Sequence, residues 1–73
     1  MNEVRHQVTQ DQINKNIVVI SALTLPGPRV LVETSTLPFH EAAELDQRSL
    51  KERVEVIARA NEERLKQRLS EAA

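Results

Sequence analysis

Pro38 to Glu71, PFHEAAELDQRSLKERVEVIARANEERLKQRLSE, is the only segment whose periodicity is long enough to define one element unambiguously. On a wheel of 100° per residue, Ala43, Leu50, Val54, Ile57, Ala58, Leu65, Leu69 and Ala72 fall within an arc of about 120°. The spacing predicts a long amphipathic helix over 38–71. Ser35 or Thr36 is placed to cap it, Pro38 suits its first turn, and Glu41 and Glu44 complement the positive end of its dipole. A second start signal lies inside, where Ser49-Leu50-Lys51-Glu52 matches a capping box. A bend or restart near Asp46 to Ser49, with a short Phe39–Leu45 helix ahead of it, therefore stands beside the continuous reading.

Upstream of the helix, Asn16 to Leu25 (NIVVISALTL) is dense in β-branched residues and apolar on both pleat faces, Ile17, Val19, Leu23 and Leu25 on one and Val18, Ile20 and Ala22 on the other. That pattern predicts a strand covered on both sides. Arg29 to Thr36 follows, with Val30, Val32 and Thr34 on one face and Leu31 and Glu33 on the other, a half-buried strand nearer an edge. Between them Pro26 presets φ for a turn and Gly27 supplies positive φ, the chemistry of a type II turn. Pro28 has no N–H to close it, so the expectation is a stiff loop of about five residues.

Residues 1–15 form a polar arm with two competing readings. Val4-His6-Val8 alternates as an edge strand does, while Thr9-Gln10-Asp11-Gln12 matches a capping box that would open a short helix. Residues 16–73 are expected to form one α+β domain, with strands over 16–25 and 29–36 and the helix over 38–71.

Composition bounds the function. A chain of 73 residues with no Cys, two His and a single aromatic residue, Phe39, has neither disulfide nor thiolate metal site and must build its core from aliphatic side chains. A net charge of −1 argues against nucleic acid and membrane surfaces as partners. The apolar run Ile17–Leu25 is too short to cross a bilayer and lacks the flanks of a signal peptide. The absence of Cys fits a cytoplasmic location.

Three constellations carry weight. His40 and Glu44 lie one helical turn apart, a metal-compatible spacing, but the second histidine of a zinc-protease helix is missing and the expectation is no metal and no cofactor. Asn61 interrupts the apolar stripe: either it faces its own copy or a backbone group across a helix contact, fixing register, or the stripe is wet there. Arg53, Arg64 and Arg68 share a flank that could contact a ligand or polyanion, or could pair within the protein. No nucleophile elbow or glycine-rich phosphate loop is present, so the chain does not read as an enzyme.

The fold class expected is α+β, a short antiparallel hairpin or small sheet packed with a long C-terminal amphipathic helix and completed by oligomerisation. A helix over 38–71 would be about 50 Å long, against about 30 Å for a compact globule of this size, so the stripe should outrun the sheet. The predicted interface is Leu50, Val54, Ile57, Asn61, Leu65 and Leu69, in a homo-oligomer, most simply a two-fold dimer. The function expected is a non-catalytic interaction module, a small accessory or regulatory protein whose first expected partner is itself, with another protein as the second. The alternative is a dimeric nucleic-acid-binding regulator.

Overall fold

A computed structural model describes residues 3–27 and 29–72. Three strands, β1 (Val4–Asp11), β2 (Asn16–Leu25) and β3 (Arg29–Pro38), are followed by a short helix α1 (Phe39–Ala43) and a long one, α2 (Gln47–Ala72). The strands form one antiparallel sheet in the order β1-β2-β3, and α2 lies across β2 and β3. The architecture is α+β, a three-stranded antiparallel meander packed with a C-terminal helix.

Among its described residues the N-terminal arm is a strand and a turn, with no helix. Val4–Asp11 pairs with β2 along its whole length, and the apparent helix cap at Thr9 lies inside the ladder. The turn signal is instead Asp11, whose carboxylate accepts the N–H groups of Ile13 (3.1 Å) and Asn14 (3.2 Å) and the side-chain amide of Asn14 (2.8 Å). Such an Asx arrangement holds a turn locally, and Lys15 closes it in the left-handed region at φ 56. In the second hairpin Gly27 takes φ 75 as its turn requires, while Leu25 and Arg29 remain paired, so the connection is only residues 26–28. The missing donor of Pro28 lies outside the described residues.

The continuous helix over 38–71 is not observed. Ser35 and Thr36 belong to β3, which extends to Pro38, so neither caps a helix; the N–H of Phe39 is met by the carbonyl of Lys15 at 2.8 Å. After α1 the chain turns, and Asp46 caps α2 by accepting the N–H of Ser49 at 2.7 Å. An Asp three residues ahead of a free helix N–H satisfies that donor directly, and this local bond outweighs the continuity of the apolar stripe.

With 26 residues α2 is about 39 Å long and ten-residue strands reach about 33 Å, so helix and sheet nearly match in length. The far end of the stripe is therefore covered by the chain's own sheet. Leu23, Leu25 and Leu65 form the centre of the core, with Val4, Leu31 and Leu69 packed against it. The buried side of β3 is the one carrying Leu31, Glu33, Ser35 and Leu37, and the β-branched side with Val30 and Val32 faces out.

Candidate interaction surfaces and the polar clamp

Strand register sets the rows that face α2. Val4, Leu23 and Leu31 form one row, His6, Ser21 and Glu33 the next, and Val8, Val19 and Ser35 the third. The middle of an otherwise apolar surface is thus polar, and Asn61 of α2 descends onto it. Both Asn61 and Ser21 are fully buried.

Asn61 is saturated there. Its Nδ2 donates to the Val19 carbonyl at 3.2 Å and to Ser21 Oγ at 3.1 Å, and its Oδ1 accepts from the Ser35 hydroxyl at 2.5 Å and from Arg64 Nη2. Ser21 Oγ also shares a hydrogen bond with His6 Nδ1, 2.7 Å away, whose direction follows the imidazole tautomer. No buried side-chain nitrogen or oxygen among the described residues lacks a partner. A buried amide is costly only when unpaired, so this cluster pins the helix over one point of the sheet.

Arg64 and Arg68 close the cluster on the β3 side. Arg64 reaches Glu33 Oε2 at 3.3 Å and Ser35 Oγ at 2.8 Å; Arg68 reaches Glu33 Oε1 at 3.1 Å and the Val32 carbonyl at 2.8 Å. Both arginines are nearly half exposed, so each ion pair is worth about 1 kcal/mol or less. Two of the three flank arginines are thus engaged within the protein, whereas Arg53 lies exposed further toward the start of α2.

Of the residues expected in a subunit contact, Asn61 and Leu65 are fully buried under the chain's own sheet, Leu69 packs at the core margin, and Leu50, Val54 and Ile57 are half-buried. The stripe seats the helix on the sheet because β2 and β3 present a matching surface with a polar notch. Sequence reasoning missed Ser21, Ser35, Glu33 and His6 as partners of this notch. The available signal was a serine in the middle of an apolar strand face and an asparagine in the middle of an apolar helix stripe.

Chemically, Ser21 and His6 have the spacing of a nucleophile and its base, but a fully buried hydroxyl held by Asn61 cannot meet a substrate. Two carboxylates are held below the ordinary range. For Asp11 the chief cause is the Asn14 side-chain amide, followed by the Asn14 N–H; for Asp46 it is the Ser49 N–H, followed by the Ser49 hydroxyl. Both belong to turns and caps. His40 sits on α1 and Glu44 just past it, and among the described residues no three His, Asp or Glu side chains converge as a metal site would need.

Two surfaces stay open. The face of the sheet opposite α2 carries the rows Arg5, Ala22 and Val32; Gln7, Ile20 and Thr34; and Thr9, Val18 and Thr36, with Val30 beside them. Val30 and Val32 are 54% and 47% exposed. The second opening is the β1 edge, where Val8, on the helix side but beyond the reach of α2, is 52% exposed. No helix among the described residues is long and apolar enough to cross a membrane. Comparison with protein-family models, curated proteins and solved structures gives no match.

Proposed function

We propose that this chain is a non-catalytic interaction module that assembles with copies of itself in the cytoplasm and serves as a small accessory or regulatory subunit. The observation that carries the reading is the uncovered sheet face. One helix covers one side of the sheet, and Val18, Ile20, Ala22, Val30 and Val32 on the other have no cover among the described residues. A core whose buried apolar residues are Val19, Leu23, Leu25, Leu37, Ala42 and Leu65 is small for an independent domain, which supports stabilisation by association. The closed Ser21–His6 pair supports the non-catalytic reading. The engagement of Arg64 and Arg68 with Glu33 speaks against a polyanion as the partner.

The test is sedimentation equilibrium at low micromolar concentration. The expected mass is at least twice the 8.3 kDa of the chain. A compact, cooperatively folding monomer at that concentration would overturn the reading.

A further inference from the structure

We propose that two copies of this chain join edge to edge through β1, antiparallel and centred on Val8, into one six-stranded sheet. The inference rests on the self-association proposed above, places it on the β1 edge rather than on the bare sheet face, and names its register.

The backbone phase of the sheet shows which groups of β1 are open. The N–H of Thr24 donates to the carbonyl of Glu3, so Glu3 and Thr24 are a hydrogen-bonded pair. With Val4 opposite Leu23, alternation then turns the N–H and C=O groups of Arg5, Gln7, Thr9 and Asp11 toward β2. Those of Val4, His6, Val8 and Gln10 point out of the sheet. The β3 side gives the same phase independently: the N–H of Phe39 donates to the Lys15 carbonyl, so by alternation Ile17, Val19, Ser21 and Leu23 bond β3, and Ala22 bonds Arg5 instead.

The two edges are not equivalent. β3 has its outward carbonyl at Val32 taken by Arg68 and ends in a proline. β1, VRHQVTQD, contains neither proline nor lysine, and among the described residues nothing bonds its outward backbone groups. Blocked edges are how sheets resist pairing, and an open one is a template for another strand. β1 is thus the less hindered edge, and a contact made by this same strand on both copies closes at two.

Charge selects the register. Outward groups must meet outward groups, which restricts the pairing to a few two-fold arrangements. Centring on Gln7 would set Glu3 opposite the partner's Asp11, a like-charge pair. Centring on Thr9 leaves Arg5 beyond the ladder, opposite the first turn. Centring on Val8 sets Arg5 opposite the partner's Asp11 twice over, Gln7 opposite the partner's Thr9, His6 opposite the partner's Gln10, and Val8 on its own copy. That arrangement forms about six interchain backbone hydrogen bonds and covers the exposed Val8. The two-fold axis is perpendicular to the sheet, so both α2 helices stay on one side and the bare faces merge into one platform of double width.

Because the chain has no cysteine, introduced ones report the register without ambiguity. Gln7→Cys and Thr9→Cys proteins are prepared separately, mixed and mildly oxidised. The Val8-centred register places positions 7 and 9 of opposite copies about 4.5 Å apart at Cα, within reach of a disulfide. The expected dominant product is the mixed disulfide, with little homodisulfide from either protein alone. A Gln7→Cys homodisulfide or a Thr9→Cys homodisulfide as the main product would overturn the register. Two-chain mass by sedimentation without any cross-link would overturn edge pairing while leaving self-association standing, and a monomer would overturn both. Val8→Pro gives a second reading: its N–H is outward, so the chain's own ladder survives while both bonds of the central Val8 pair are lost. The expected result is an unchanged far-ultraviolet circular dichroism spectrum with mass reduced from two chains to one. A Val8→Pro protein that stays dimeric would refute the proposal, and should that variant not fold, the cysteine products decide.

Discussion

Replacing Asn61 with alanine should cost about 3 kcal/mol. The two Nδ2 bonds, to the Val19 carbonyl and to the buried Ser21 hydroxyl, contribute about 1 kcal/mol each. The two Oδ1 bonds, to Ser35 and Arg64, are nearer solvent, where water can replace the amide, and add about 0.5 kcal/mol each. For a domain of this size such a loss lowers the melting temperature by about 12–24 °C. Urea unfolding followed by circular dichroism at fixed protein concentration measures it, with the midpoint falling and the slope unchanged. A double-mutant cycle with Ser21→Ala should return a coupling of about 1 kcal/mol, since the two side chains share a bond. A loss below about 1 kcal/mol for Asn61→Ala, or additivity with Ser21→Ala, would refute the view that this cluster seats the helix.

Glu33→Gln, which keeps the shape but removes the charge facing Arg64 and Arg68, should destabilise by about 1 kcal/mol, and the difference from wild type should shrink in high salt; a salt-independent loss would point to packing instead. Acid should loosen the turn of Asp11 and the cap of Asp46. Both carboxyls titrate lower in the folded state than their ordinary value near about 3.9, so their stabilisation is complete above that pH and is lost as pH falls through the folded values. Asp46→Asn, which retains a capping oxygen, should flatten this acid dependence in thermal melts, and an unchanged acid profile would exclude the cap as its source.

Much of the fold was legible because β2 and α2 each repeat one period for long enough to be read alone. NIVVISALTL and the stripe from Leu50 to Leu69 appear in the structure as strand and helix. The N-terminal strand was ambiguous because Val4 and Val8 fit a helical turn as well as a pleat, and only pairing with β2 settles the matter. The break before α2 was legible as the restart near Asp46 to Ser49 that stood beside the continuous helix, though the capping residue is Asp46 and not Ser49. The clamp was half legible: Asn61 stood out as polar on an apolar stripe, but its partners on the sheet lie 26 to 42 residues away, a juxtaposition only the packing of helix on sheet creates. The same packing turned Leu65 inward, which the length argument had assigned to a neighbour.

The order of the elements also has a consequence in time. The sheet is complete in sequence at Pro38, while the residues that seal it, Asn61, Leu65 and Leu69, follow about 30 residues later. A ribosome adding about 5–20 residues per second takes roughly 2–6 s to make that interval. Hairpins form in about 1–10 μs, so the meander has ample opportunity to form and dissolve many times before its lid exists. During synthesis the nascent sheet therefore presents both faces, and the serine notch on one of them, to whatever chaperone or neighbouring chain is at hand until the last turns of α2 arrive.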